Sequence, residues 1–389
     1  MVAGVICEFN PFHKGHQYLL DTVRQKGADT IVCAMSGNFV QRGDVAIADK
    51  LTRAEMAVRC GADLIFELPT PWAMATAETF ARGGVELLAL AGCDTVACGS
   101  ECGDIEALEQ VVNVLTDDNI MLTTKRYLDS GLSYARARQL AVEERLGDLG
   151  QLLAQPNNTL AVEYGKAIRQ LEVDIKLFTV PRIGALHDGE TVGEIASASY
   201  LRELLKSGKS VDQYVPDAGM AVLRDAIRQG EQLVDIKLCE RAILSRLRTM
   251  TETEFARYDR GGEGLYHRVY GAVQQATTLE EVLTLSKTKR YPMARLRRMV
   301  LSAWLGMDET PGKVPYLRVL AANEQGRKHL RVLQKQGVSV LTKAADVSKL
   351  GSEAEKLFQE ECARTDQFEL CKLNPQPAGA DWRLTPKML

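Results

Sequence analysis

The chain has 389 residues, 46% hydrophobic and 25% charged, with a formal net charge of −3. This is the composition of an ordinary globular protein, and the length suits two domains of roughly 100–200 residues each, which excludes a collagen, a disordered tail and a disulfide-stapled miniature. No apolar run reaches the ~18–20 residues of a membrane span, the N-terminus MVAGVICEFNPF lacks the basic and long apolar regions of a signal peptide, and nine irregularly spaced cysteines read as reduced, buried thiols of a cytoplasmic protein.

In chain order, residues 2–7 form a short apolar run predicted as a strand. Pro/His/Gly punctuation follows, then a helical segment to about residue 25. Strand signals recur at 30–35, 63–68 and 94–98, each ending in polar or breaking residues, with helical periodicity at 51–60 and 72–91. Alternating strands and helices indicate a Rossmann-like α/β fold with a parallel sheet, in which ligands bind beyond the carboxyl ends of the strands. Residues 104–145 read as a helical insertion. Gln155-Pro156 opens another helix to about 170, and 173–180 reads as the last strand. Past about 210 strand signals nearly vanish and leucine/alanine periodicity dominates. The expected organisation is therefore an α/β domain at 1–210 and a mostly helical domain at 211–389.

The charge total hides an asymmetry. From Lys287 to Lys343 thirteen bases face three acids, so this window carries +10 and the remaining chain −13. A basic stretch in an acidic protein is the footprint of a polyanion site or a solvated helix face.

His13-Lys14-Gly15-His16 follows the first strand and opens the first helix. A helix N-terminus offers unpaired N–H groups and partial positive charge, which suit phosphate. Gly15 would let a nucleotide approach the backbone. The i, i+3 spacing puts both imidazoles on one side of the first turn, where they can stabilise charge as an α-phosphoryl group is attacked. Zinc is disfavoured, because no cysteine or carboxylate at ligand spacing accompanies the pair. Cys93, Cys98 and Cys102 do not have zinc-knuckle spacing, and no metal site is assigned.

EFNPFHKGH at 8–16 resembles the HxGH signature of the nucleotidylyltransferase superfamily, and the fuller pattern resembles the bacterial tRNA(Met) cytidine acetate ligase family. SGNFVQRGD at 36–44, ADLIFELP at 62–69, GSE at 99–101, PNNTL at 156–160 and PRIGA at 181–185 share the likeness. So do SASYLR at 197–202, EGL at 263–265 and KTKRY at 287–291. Departures are Phe9 where Tyr is more usual, Lys14 where Asn is common, and Cys98 where Phe often precedes Gly-Ser-Glu.

The resemblance implies that ATP and acetate give acetyl-adenylate and pyrophosphate. The acetyl group then passes to N4 of the wobble cytidine of elongator tRNA(Met), without acetyl-coenzyme A. Mg²⁺ is expected separately, screening the triphosphate. Carried over, the ATP contacts fall on Ile6, Cys7, Glu8, Phe9, Asn10, Pro11, Phe12, His13, Lys14, Gly15, His16, Gln17, Tyr18 and Leu19, and on Gly99, Asn157 and Arg182. His13 and His16 would be the catalytic pair.

Ser197, Ser199 and Arg202 at a helix start are a second phosphate cradle or a plain N-cap with a solvent arginine. Arg182 could grip a phosphate in bidentate fashion. Asn157 is an ATP contact or a plain N-cap before a helix, and Asn158 competes for either role. Gln41, Arg42 and Asp44 lie on a loop able to close on the acetyl group or the RNA. Glu67 is either an internal partner for a base or an exposed charge. Lys287, Arg290, Arg295 and Arg298, with Arg297 and Tyr291 beside them, suit the phosphates of a tRNA stem. The segment from 351 carries no usable motif. A small-molecule nucleotidylyltransferase and a non-catalytic, ATP-sensing RNA-binding protein remain the alternatives.

Overall fold

Apolar strands buried on both faces need helices above and below them, and the chain supplies both. The computed structural model describes residues 1–183, 191–231, 233–262, 264–308 and 312–389. Gly184, Ala185 and Glu263 of the quoted segments, and Glu309 of the basic window, lie outside the described residues.

Five strands, β1 (Val2–Cys7), β2 (Thr30–Ser36), β3 (Leu64–Leu68), β4 (Thr95–Ser100) and β5 (Lys176–Pro181), run parallel in the order β3-β2-β1-β4-β5. The order reverses at β1, with β2 on one side and β4 on the other. A crevice therefore opens beyond the carboxyl ends of β1 and β4.

Three strands come from beyond residue 210. β6 (Leu317–Ala322) lies antiparallel to β3, and β7 (Val340–Leu341) and β8 (Lys387–Met388) pair with β6. The sheet is thus mixed rather than wholly parallel, and 173–180 does not hold its last strand. All six residues of β6 are buried, so LRVLAA shows no alternation, and Arg318 within it imitates a surface charge. The expected boundary at 210/211 does not separate cores either. Met220, Val222 and Leu223, on the helix Asp217–Arg228, belong to the same apolar cluster as Val5 of β1 and Cys33 of β2.

Helices cover both faces. Ile6, Val32, Phe66 and Val96 pack on Leu88 of α3 (Ala77–Leu90) and on Val162 and Tyr164 of α4 (Pro156–Gln170). Val5, Cys33 and Ile65 pack on the opposite face with Leu20 and Met56, from α1 (Lys14–Gln25) and α2 (Lys50–Arg59). A third core collects the helical segments past 235. It draws in Phe39 and Val45 from the hairpin formed by Phe39–Val40 and Asp44–Val45. The Phe39 ring lies edge-on to Trp304 at 6.3 Å and to Phe368 at 6.1 Å. All nine cysteines are free and eight are buried, so Cys93 and Cys98 pack in the core.

One polar feature ties distant parts of the chain together. Lys50 Nζ donates to Glu67 Oε1 at 2.7 Å and to Asp381 Oδ2 at 2.9 Å. Arg318 pairs with the same two carboxylates, at 3.2 Å to Glu67 Oε2 and 2.9 Å to Asp381 Oδ2. All four are at most 4% exposed. Glu67 is therefore an internal partner, and Arg318 contributes nothing to a basic surface. Asp381, in a segment without a sequence motif, also accepts from Thr365 Oγ1 at 3.0 Å. The two cations beside it outweigh burial and hold its carboxyl down at about 2. Removing one member of such a group leaves buried charge unmatched, at a cost of about 3–5 kcal/mol. Asp381→Ala should therefore lower the urea midpoint with little change in slope. An unchanged midpoint would show that the quartet adds nothing to stability.

Candidate active site

The site is built on the junction between β1 and α1. His13 is the N-cap of α1, with extended backbone at φ −148° and ψ 170°. Its Nδ1 accepts from the Gly15 N–H at 3.1 Å, while His16 Nδ1 accepts from the His13 N–H at 3.3 Å. This is a reciprocal capping box made of two imidazoles, satisfying donors that a helix start leaves orphaned. The rings stack at 3.7 Å between centroids, 26° apart in plane. Because each Nδ1 accepts, the neutral rings carry their protons on Nε2. Two N–H donors are thus set in parallel at the helix N-terminus.

The surroundings keep the pair neutral. Burial, aided by the nearby Arg182 cation, depresses His13 to about 3. Burial, then His13 and Arg182, pushes His16 well below the usual imidazole value. Phe9 stands at φ 45° and 1% exposure, with its ring 4.9 Å from Phe12 and 5.0 Å from His16. The phenyl at this position is thus apolar support for His16. A Cβ on Gly15 would fall 2.9 Å from His13 Cε1 and 3.1 Å from Nδ1. Gly15 is therefore required first by the His13 ring itself. Lys14 pairs with Glu194 on the hairpin before α5 (Ala198–Lys206).

Arg53 was not singled out by its sequence and is the strongest tie around the site. Fully buried, it donates to the Ala48 carbonyl at 3.0 Å, the Glu8 carbonyl at 2.6 Å, the Ser36 carbonyl at 3.2 Å and the Gly37 carbonyl. It binds the ends of β1 and β2 to each other, and burial lowers its own pKa to about 10. Glu8 Oε1 accepts the Gln41 N–H at 2.8 Å, and Asn10 Oδ1 accepts the Ile47 N–H at 2.7 Å.

Across the crevice, Arg182 donates to Asn157 Oδ1 at 3.2 Å and its backbone N–H bonds to Ser100 O at 3.0 Å. Gly99 lets the Arg182 stem lie close, since a Cβ there would meet its Cγ at 3.3 Å. Ser197 Oγ accepts from the Tyr200 N–H at 3.2 Å as the N-cap of α5. Arg202 donates to Asn10 O at 2.8 Å and to Ser199 Oγ at 3.2 Å, so it fastens the loop ahead of His13.

Several residues of the expected ATP segment have their side chains in or against the core. Ile6 is a core side chain, and Phe12 is fully buried. Leu19 packs against the apolar core that α1 covers, and Tyr18 O accepts from Thr22 Oγ1 at 2.7 Å. Cys7 is buried and its thiol approaches Ala34 O at 3.8 Å. Gln17 is partly buried on α1, and Pro11 is buried in the preceding loop.

The expected RNA residues divide. Lys287 and Arg290 are exposed, with Lys287 Nζ donating to Tyr291 O at 2.7 Å. Arg295, on α6 (Met293–Leu305), stands 5.1 Å over the Tyr291 ring and 3.4 Å from Asp259. Arg298 is half-buried and donates to Gln41 O at 3.2 Å, so it is not the open phosphate contact its spacing suggests. Burial, then Arg295 and Arg260, lowers its pKa to about 10.

The HIGH nucleotidyl transferase family model matches residues 1–381. A tRNA(Met) cytidine acetate ligase of Thermoanaerobacter sp. (strain X514) is 34% identical over 98% of each chain. One from Caldanaerobacter subterraneus subsp. tengcongensis is 36% identical over 95% of each. The chain belongs to the tRNA(Met) cytidine acetate ligase family. Among solved structures it resembles apo Thermotoga maritima TmcAL at TM-score 0.94 and 27% identity, covering 100% of this chain and 99% of that one. The same enzyme bound with alpha-thio ATP matches at TM-score 0.93 with the same identity and coverage. The family fold accounts for the mixed sheet that includes β6.

The neutral histidines contribute to the acid limb of stability. An unfolded imidazole titrates near 6.5, whereas His13 lies at about 3 in the fold. Between those values the unfolded chain binds more protons. Stability is therefore fully present above about 6.5 and is lost as pH falls. The thermal midpoint should drop from pH 7 to pH 4.5, and drop less in His13→Gln. Equal slopes in the two proteins would contradict the assignment.

Proposed function

We propose that this protein is an ATP-dependent ligase that acetylates N4 of the wobble cytidine of elongator tRNA(Met). The observation that carries the reading is the pair of neutral imidazoles capping α1 at the β1/β4 crevice, opposite Arg182 and Asn157, in a chain of this family. A carboxylate oxygen of acetate attacks the α-phosphorus of ATP in line. The new O–P bond forms as the bond to the bridging oxygen breaks, and pyrophosphate leaves with the electron pair. The cytidine amine then attacks the acetyl carbonyl carbon. AMP departs and the amine gives up one proton to solvent.

No side-chain nucleophile is needed. The Nε2–H groups of His13 and His16 and the N–H groups at the start of α1 stabilise the charge that grows on the phosphoryl oxygens. The crevice supplies position. Arg182 and Asn157 hold the nucleotide, and Gly99 admits it. Lys14, freed from Glu194, adds positive charge beside the phosphates. Ser197, Ser199 and Arg202 border the leaving pyrophosphate. ATP supplies the activation, so acetyl-coenzyme A has no part in the reaction.

Among the described residues there is no group of three or more His, Cys, Asp or Glu side chains placed to hold a metal ion. Mg²⁺ is commonly held by one or two carboxylates together with substrate phosphates, and we propose that it enters as MgATP, with phosphate oxygens among its ligands. Among the described residues also, no helix is long and apolar enough to cross a membrane, and we propose that the enzyme works in the cytoplasm. Residues 211–389 supply the RNA surface in this reading, with Lys287, Arg290, Arg295 and the exposed Arg297 on phosphates. Arg298 acts there indirectly, through Gln41.

Incubation with ATP, Mg²⁺ and labelled acetate should place label in elongator tRNA(Met) and release pyrophosphate. Label should be lost when the wobble cytidine is replaced. His13→Ala should slow pyrophosphate release by about 10²–10³-fold, and near-normal turnover would defeat the phosphate role. Pyrophosphate release that requires a different small substrate and ignores tRNA would favour a small-molecule nucleotidylyltransferase. Lys287→Ala with Arg290→Ala should weaken tRNA binding and reduce the salt slope by about one for each lost phosphate contact. Unchanged binding would move the RNA surface elsewhere.

A further inference from the structure

Glu101 ends the Gly-Ser-Glu segment after β4, where only Gly99 is expected to touch ATP. Its carboxylate covers the start of the helix Pro156–Gln170, which has no side-chain N-cap of its own. Glu101 Oε1 accepts from the Asn157 N–H at 3.1 Å and from Asn157 Nδ2 at 2.6 Å. Its other oxygen accepts from the Asn158 N–H at 2.7 Å. With the Asn157 amide nitrogen held in this way, its Oδ1 faces Arg182 and accepts from Nη1 at 3.2 Å. Asn158 is fixed separately, its Oδ1 accepting from the Cys102 N–H at 3.1 Å. A single carboxylate thus sets the amide orientation of Asn157 and, through it, the guanidinium of Arg182.

We infer that Glu101 is a positioning residue for ATP, acting through Asn157 and Arg182 without touching the reacting atoms. The inference rests on the functional reading above. It adds that the nucleotide wall of the crevice is pre-ordered from β4. A carboxylate accepting three N–H groups at a helix start is favoured by both charge and hydrogen bonding. Glu101→Gln keeps the shape but replaces one acceptor with a donor, which faces N–H groups on either side. Asn157 and Arg182 then lose their common reference.

The test is steady-state pyrophosphate release with acetate and ATP, paired with calorimetric titration of ATP. For Glu101→Gln the ATP KM and Kd should rise about tenfold, as expected for one charge-assisted hydrogen bond, while kcat stays within about twofold. Glu101→Asp, which keeps the charge, should recover part of the affinity and serves if the Gln variant folds poorly. In an Asn157→Ala background, Glu101→Gln should add nothing further. Unchanged ATP affinity in Glu101→Gln would overturn the inference, as would additive effects of the two substitutions or a fall in thermal midpoint and kcat with KM unmoved. Failure of the unaltered protein to bind ATP would overturn the functional reading itself, a result distinct from all of these.

Discussion

Much of the site depends on how the two histidines of the first helical turn use their Nδ1 atoms. Each accepts a backbone N–H at the start of α1, which fixes ring orientation, tautomer and distance together. Rotating either ring would break a cap and expose an orphaned donor inside a poorly solvated crevice. The catalytic element is therefore also a local folding element. Gly15 leaves the space the His13 ring fills, Phe9 and Phe12 wall His16, and burial beside Arg182 keeps the pair uncharged until a polyanion arrives.

That turn is held by ties from far along the chain. Arg53 joins the ends of β1 and β2, Arg202 fastens the loop before His13, and Lys14 meets Glu194. On the other side, Gln41 links the Glu8 carboxylate to Arg298 on α6. The hairpin between them contributes Phe39 and Val45 to the helical core. Beneath, the Lys50–Glu67–Arg318–Asp381 quartet joins the first strands to the final residues of the chain. Buried pairs of this kind contribute little net stability over apolar packing, yet breaking one is costly. They are suited to fixing the relation of the sheet to the segments that cross it late in the sequence.

The α/β alternation of the first 180 residues was legible because each strand was a short apolar run with a clear stop. The His-Lys-Gly-His turn was legible because its placement, after a strand and before a helix, carries the chemistry. β6 was not, since Arg318 interrupts its apolar run amid the leucine/alanine periodicity of the later chain. Glu67 could be read only as an internal partner or an exposed charge, and Asp381 and Arg53 carried no signal. A charged residue gives no local sign of a partner set by the fold, whether Asp381 facing Lys50 or the strand-end carbonyls facing Arg53. The basic window was only partly informative. Lys287 and Arg290 are exposed, whereas Arg318 is buried in the sheet and Arg298 is turned toward Gln41. Charge counted along a sequence cannot tell these apart. Gly15 was read as room for a nucleotide, and its nearest neighbour proved to be the preceding imidazole.

In the free protein both imidazoles are neutral and protonated on Nε2. Long-range nitrogen–proton correlation spectra of ¹⁵N-histidine-labelled protein at neutral pH test it directly, with His13→Gln and His16→Gln assigning the signals. Both residues should show an unprotonated Nδ1 and a protonated Nε2, and His13 should form no imidazolium on lowering the pH to about 5. A proton on either Nδ1, or titration of either ring near the ordinary imidazole value of about 6.5, would contradict it.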